Sequence, residues 1–128
     1  MAFFVDENGG ITLIQGDSGT LTVNDLPTDK SYTVYFAIKD KKRNTIGDEM
    51  YLTSNSQSAV SFFISADLTD LLTVPMSKES EEYYYGIKIC STDTQTNVTS
   101  EETLIIGDSD ISDMNTITVY PKRVEGAL

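Results

Sequence analysis

The sequence contains no histidine, no tryptophan and a single cysteine. Without histidine, a serine nucleophile has no imidazole base, and the imidazole ligands typical of zinc, copper and non-haem iron sites are missing. Cys90 alone can form neither an intrachain disulfide nor a thiolate cluster. These absences exclude serine–histidine hydrolases, transition-metal centres and disulfide-stapled secreted domains.

Long apolar runs and positive charge are also scarce. No stretch approaches the ~20 apolar residues of a membrane-spanning helix, and the first residues lack the basic and apolar regions of an export signal. Twenty acidic residues against nine basic ones give a net charge of −11, which repels a phosphate backbone and an anionic membrane. We therefore expect synthesis in a reducing cytoplasm and no nucleic acid or membrane among the partners.

The chain does contain short runs in which apolar and polar residues alternate, separated by turn residues. This period of two predicts an all-β, antiparallel sandwich of about eight strands, and 128 residues are enough for one such domain. A single helical turn is expected at Ala66–Thr73, with Asp67 as its cap. The predicted strands are Ile11–Gln15, Thr20–Asn24, Ser31–Lys39, Glu49–Thr53, Ser58–Ser65, Glu82–Cys90, Glu102–Ile106 and Thr116–Tyr120.

The two ends of the chain fall outside this regular pattern. We expect an N-terminal arm at residues 1–10, the sandwich at residues 11–120 and a C-terminal tail at residues 121–128. Apolar residues on a terminal arm either complete the domain's own core or add to that of a neighbour, and the sequence leaves both possibilities open. The predicted interface residues are Phe3, Phe4, Val5, Tyr120 and Arg123.

Chemistry based on carboxylates is the remaining possibility for a metal or catalytic site. Asp108, Asp110 and Asp113 lie on one predicted loop and offer the oxygen ligands that calcium prefers, but their spacing is not that of an EF-hand. A solvated acidic turn is the favoured interpretation, so we expect no metal and no cofactor. An enzyme would have to be a carboxylate-based hydrolase with two facing carboxyl groups in a cleft.

Several local patterns together resemble a known family. The segment Ile11–Leu21 has two apolar strands around Gly16-Asp17-Ser18-Gly19, which we expect to form a tight hairpin-type turn. The run Ala66–Leu72 is followed after a loop by Tyr83–Ile89, and Tyr32–Lys39 lies between these patterns. This arrangement resembles the immunoglobulin-like domain of tailed-phage virion proteins, notably the N-terminal domain of upper baseplate proteins.

The resemblance covers about Ile11 to Ile106 and implies an immunoglobulin-like β-sandwich. A tyrosine after the helical turn, Tyr83 or Tyr85, would tie that corner to upstream backbone, although the paired cysteines and core tryptophan of antibody domains are absent. Upper baseplate proteins usually continue into a helical, receptor-facing region, whereas this sequence ends at Leu128 and adds a strand near its end.

The function that the resemblance implies is therefore that of a non-enzymatic structural component of a bacteriophage virion. Baseplate or tail, capsid decoration and head-fibre base are the locations considered, with a short stand-alone component favoured. Copies of the chain and other virion proteins would be its partners, in a homo-oligomer within the particle.

A carbohydrate- or cell-surface-binding module is the alternative, because tyrosines on an exposed sheet face can stack on sugar rings. The candidates for this role are Tyr35, Tyr51 and Tyr84. The alternation places Tyr35 and Tyr84 opposite the apolar faces of their strands. Partial burial against a second layer is the competing explanation for all three tyrosines.

Overall fold

A computed structural model describes residues 3–24, 26, 28, 30–55, 57–93, 96, 98–104 and 115–124. Within them the chain forms nine strands and one short helix. The strands are β1 (Phe4–Val5), β2 (Ile11–Ile14), β3 (Gly19–Val23), β4 (Ser31–Lys39), β5 (Thr45–Asn55), β6 (Val60–Ile64), β7 (Glu81–Thr92), β8 (Thr99–Leu104) and β9 (Asn115–Tyr120). The helix α1 (Ala66–Asp70) follows β6.

The strands form two sheets that pack face to face. The large sheet has the order β1-β2-β9-β7-β4-β5, and β8 pairs with the second half of β7 beyond the end of β9. The small sheet consists of β3 and β6. The predicted all-β sandwich is confirmed, with nine strands in the described residues and with one parallel pair, β2 and β9, among otherwise antiparallel pairs.

The long strands β4 and β7 lie at the centre of the large sheet because their alternation is the strongest in the sequence. Every second side chain of β7 is buried, from Tyr83 to Ile89. On β4 the buried side chains of the same alternation are Tyr32, Val34, Phe36 and Ile38. These side chains pack against the inner residues of the small sheet, and the Phe36 and Phe62 rings lie 5.5 Å apart. Full burial of such a side chain contributes roughly 1.5–3 kcal/mol.

The helical turn differs in detail from its prediction. Its cap is Ser65 and not Asp67: the Ser65 Oγ accepts a hydrogen bond from the Leu68 N–H at 3.2 Å. A residue before the helix has the extended backbone that lets its side chain reach the free N–H groups, whereas Asp67 already lies in the first turn.

The prediction of a hairpin at Gly16–Gly19 is wrong. Strand β2 pairs with β9 in the large sheet, whereas β3 pairs with β6, so the turn crosses from one sheet to the other. Gly16 has a φ of 88°, which a residue with a Cβ rarely adopts. The buried Thr69 hydroxyl fixes the crossing, because it accepts from the Gly16 N–H at 3.1 Å and donates to the Asp17 carbonyl at 2.9 Å.

The N-terminal segment is part of the sandwich. Strand β1 pairs with β2, and the Phe3 ring packs against the backbone of Gly19 at the start of the small sheet. Between β1 and β2, the carbonyl of Gly9 accepts a hydrogen bond from the buried Tyr85 hydroxyl. The residues expected to form an arm therefore join both sheets of their own domain.

Strand β7 begins with a tyrosine that fixes the preceding loop. The Tyr83 hydroxyl donates to the carbonyl of Thr73, ten residues upstream, at 2.5 Å. This is the arrangement of a tyrosine corner in immunoglobulin-like sandwiches, where the hydroxyl ties the corner to the backbone before it. Of the two candidates, Tyr83 makes this contact and Tyr85 instead anchors the N-terminal segment.

Candidate functional site

The outward surface of the large sheet is the most distinctive surface of the described molecule. We call it the outer face: the strand positions whose side chains alternate with the buried ones and point away from the small sheet. Threonine is its commonest residue type. Its threonines include Thr12, Thr33, Thr53, Thr116 and Thr118.

The outer face also differs from the whole chain in charge. Within the strands that the structure describes, its charged residues are Lys39, Lys88, Glu49, Glu82 and Glu101, which makes it close to neutral. The complete chain carries −11. The outer face is therefore far less acidic than the whole chain and can approach an acidic surface without strong repulsion.

Two tyrosines form an exposed aromatic pair at the β5 end of the outer face. Tyr35 and Tyr51 are direct cross-strand neighbours, and their ring centroids lie 6.0 Å apart at an angle of 40°. Tyr35 is half-buried, whereas Tyr51 is 65% exposed. A cross-strand aromatic pair stabilises a sheet by up to about 1 kcal/mol, so the pair has a structural role besides any role in binding.

A depression of about 180 Å³ lies beside this pair. Its floor is formed by Ala37 and Gly86, which face each other across β4 and β7, and a side chain at Gly86 would meet no other atom within 4 Å. Tyr35, Lys88 and Glu49 line its wall. Gly86 was the feature of the sequence that could have indicated this depression, because a glycine in a strand interior often marks a place where a ligand or another backbone can approach closely.

An apolar group lies at the opposite end of the outer face. Strand register places Phe4 beside Thr12 and Tyr120 beside Ile14, and these side chains share the outer side of the sheet. Phe4 is 60% exposed and Tyr120 is 39% exposed. We call Phe4, Ile14 and Tyr120 the terminal patch.

The predicted interface residues are therefore divided between two sides of the molecule. Phe4 and Tyr120 belong to the terminal patch, and Arg123 is exposed on the segment after β9. Phe3 and Val5 are half-buried and pack against the core of their own domain. The segment after β9 is held by Lys122, whose Nζ lies 2.6 Å from the Asp70 carboxylate.

Cys90 lies on the outer face, as the alternation predicts, and is half-buried. Its Sγ lies 3.4 Å from a carboxylate oxygen of Glu101 on β8. Burial and the hydrogen bond to that carboxylate raise the pKa of the Cys90 thiol. The thiol is protonated at neutral pH and is a poor nucleophile.

The described residues contain no group of three cysteine or acidic side chains arranged to hold a metal ion. The calcium candidates Asp108, Asp110 and Asp113 lie outside the described residues. Within the same described part of the chain, every helix is too short or too polar to cross a bilayer.

No protein-family model matches this sequence, and a search of curated proteins finds no significant match.

Proposed function

We propose that this chain is a non-enzymatic structural component of a bacteriophage virion, associated with the baseplate, tail or capsid, and that it acts by subunit assembly. The observation that carries the proposal is the outer face, which is broad, close to neutral and rich in threonine on a strongly acidic chain. Such a surface can be covered by a neighbouring subunit without desolvating many charges.

The terminal patch supplies apolar area for such a contact. Phe4 and Tyr120 are large, exposed side chains on strands β1 and β9, and Ile14 lies beside them. Aromatic residues are enriched at protein interfaces because they bury a large area with few rotatable bonds. Strand pairing holds all three in place before a partner arrives, which lowers the entropy lost on association.

The family resemblance adds the virion setting. The helical turn followed by the Tyr83 corner occupies the position that the resemblance assigns to it, and the sandwich is the fold that it implies. A fold hosts many functions, so the assignment depends on the sequence patterns together with the assembly surface.

The test is the composition of the particle. Virions of the phage that encodes the chain should contain it at a fixed copy number after density-gradient purification, as measured by quantitative mass spectrometry. A paired Phe4→Lys and Tyr120→Lys variant should be incorporated less, while Val98→Lys, an exposed change in the β7–β8 loop, should not differ from the parent. Absence of the parent chain from purified particles would contradict the proposal.

Carbohydrate binding is a second candidate, favoured by the depression beside the Tyr35–Tyr51 pair. An aromatic ring next to a largely apolar hollow with a few polar side chains is an arrangement with which proteins bind a sugar ring, and Lys88 and Glu49 provide a donor and an acceptor for hydroxyl groups. The volume of about 180 Å³ corresponds to roughly six water molecules, which suits one small ring.

A glycan array with the purified chain tests this candidate. Binding that disappears in Tyr51→Ala but persists in Phe63→Ala, an exposed aromatic on the other sheet, would support it. Equal signals from the parent and the Tyr51→Ala variant would argue against a sugar site at the depression.

A further inference from the structure

The small sheet has only two strands, so both β3 and β6 are edge strands. Among the residues that the structure describes, no strand pairs with β6 on the side away from β3. Backbone N–H and C=O groups along such an edge can accept a strand from another chain. Within the described part of the chain, the small sheet is therefore open at β6.

Other edges carry features that discourage strand addition. In the large sheet, β5 has a bulge opposite Ala37 that contains the acidic residues Asp48 and Glu49, and β8 carries Glu101 and Glu102. The first residue of β3 is covered by the Phe3 ring, and β1 has only two residues. Bulges, charges, covering side chains and short length are the common ways in which proteins protect their edges.

Strand β6 carries no charge, and its pairing with β3 contains no bulge. Its sequence, Val-Ser-Phe-Phe-Ile, contains no charge, proline or glycine, and its register with β3 is unbroken over all five residues. Phe63 points outward from this strand and is 64% exposed. An uncharged, regular edge strand with an exposed aromatic residue is suited to pairing with another strand.

We propose that β6 pairs antiparallel with β6 of a second copy of this chain, which joins two small sheets into one of four strands. The inference rests on the proposed assembly function, because it names one surface through which the subunit assembles. With the two-fold axis at Phe62, Ser61 of one copy lies opposite Phe63 of the other, and Val60 lies opposite Ile64. The small Ser61 side chain leaves room for the facing Phe63 ring.

The side chains of β6 suit a second copy as the occupant, because the strand carries no charge and the small Ser61 can lie opposite Phe63. Two chains that each carry a net charge of −11 repel each other, so they can pair only through a surface that brings few acidic groups of the two copies together. Within the paired segment, Val60–Ile64, neither copy has a charged residue, so no like charges face each other across the two strands. The remaining repulsion is long-range, and salt screens it.

Analytical ultracentrifugation of the full chain tests the pairing. We expect a monomer–dimer equilibrium whose dissociation constant falls as salt is raised from low to physiological concentration. Phe63→Lys should weaken the dimer by about tenfold or more, because it places a charge at the edge. Thr20→Lys is the matched control, since Thr20 lies beside Phe63 on β3 but away from the open edge. A chain that stays monomeric at all concentrations and salt conditions overturns the inference.

Disulfide trapping tests the register. In a Cys90→Ala background, a mixture of the Ser61→Cys and Phe63→Cys chains should form more intermolecular disulfide on mild oxidation than either chain alone. Directly opposed residues of an antiparallel pair have Cα atoms about 4.5–5.5 Å apart, within the range that a disulfide spans. A dimer that shows no preference for the mixture contradicts the pairing at β6.

Particle incorporation separates this inference from the proposed function. Phe63→Lys chains that no longer dimerise but enter virions normally would contradict a role of β6 in assembly while leaving the virion function intact. A dimer that is absent from virions would contradict the virion function and leave the β6 pairing supported. If the parent chain is monomeric and its Phe63→Lys variant fails to enter virions, the β6 edge pairs with a different protein. That result would overturn the inference that a second copy occupies the edge.

Discussion

The two sheets of the sandwich meet their surroundings in different ways. The large sheet presents a broad, nearly neutral face, and its edges carry a bulge, glutamates or only a two-residue strand. The small sheet presents little face but an unprotected edge with Phe63 on it. A partner of the large sheet would make side-chain contacts, whereas a partner of the small sheet would add backbone hydrogen bonds. The two proposed contacts of this domain would therefore use two different modes of binding.

The largest effect should follow from breaking the contact between the sheets. Phe62 is buried on β6 and packs 5.5 Å from the Phe36 ring, so Phe62→Ala leaves a cavity where the sheets meet. We expect the free energy of unfolding to fall by about 3–5 kcal/mol, measured by urea denaturation. A loss below about 1 kcal/mol would mean that the sheets do not pack through this pair.

Removing the Tyr85 hydroxyl should have the next largest effect. Its donation to the Gly9 carbonyl anchors the N-terminal segment from inside the core. Tyr85→Phe leaves that carbonyl without this donor and should cost about 1–3 kcal/mol. Amide hydrogen exchange should become faster at residues 6–10 in the variant. At residues 60–64 of the small sheet, exchange should rise only as far as the lower global free energy of unfolding accounts for.

The Tyr85 hydroxyl should also make the free energy of unfolding fall at high pH. Burial raises the pKa of Tyr85 to about 12, and the nearby Asp6 carboxylate adds to the shift. The folded state thus holds this proton more tightly than the unfolded chain, whose tyrosine pKa is about 10. The contribution is complete below about pH 10 and is lost as pH rises toward about 12. Denaturation across this range should show a decline that is shallower in Tyr85→Phe.

A smaller effect is expected where the N-terminal segment meets the small sheet. A Cβ at Gly19 would overlap the Phe3 ring, so Gly19→Ala displaces the ring and should cost about 1–2 kcal/mol. In a Phe3→Ala background the same change should cost little, because the obstructing ring is gone. Additive losses in this double-mutant cycle would show that the two residues do not contact each other.

The smallest effect should come from the exposed side of β6. Phe63→Thr should change the free energy of unfolding by no more than about 0.5 kcal/mol, because the side chain is largely in water. Phe62 and Phe63 are adjacent in sequence, so the two variants compare the two faces of one strand. A large loss from Phe63→Thr in dilute protein would place this ring in the monomer's own core.

The sequence predicted the parts of the fold that depend on local alternation. Strand β4 has the bounds Ser31–Lys39 that its pattern indicates, because every inward position is apolar. Strand β8 is Thr99–Leu104 and begins three residues earlier than predicted, since the polar run before Leu104 shows little alternation. A strand with no strongly buried face leaves a weak signal in the sequence.

Long-range pairing could not be predicted in the same way. The residues at Gly16–Gly19 indicate a turn, but composition does not tell whether the next strand stays in the same sheet. That choice depends on distant groups, namely Thr69 on the helical turn and Phe3. The outward positions of Tyr35 and Tyr84 followed from alternation, whereas the depression at Gly86 is lined in part by Glu49, from the bulge in β5, which the sequence did not indicate.

The parallel pairing of β2 with β9 affects how the chain folds during synthesis. Ile11 leaves the ribosome early, yet its partner Ile117 is made more than a hundred residues later. At translation rates of about 5–20 residues per second, β2 waits roughly 5–20 s for that strand. Its apolar residues are then available to other chains, and the entropy of closing such a long loop slows folding after release. Nascent copies on one message are therefore at risk of exchanging β2 before each has completed its own sheet.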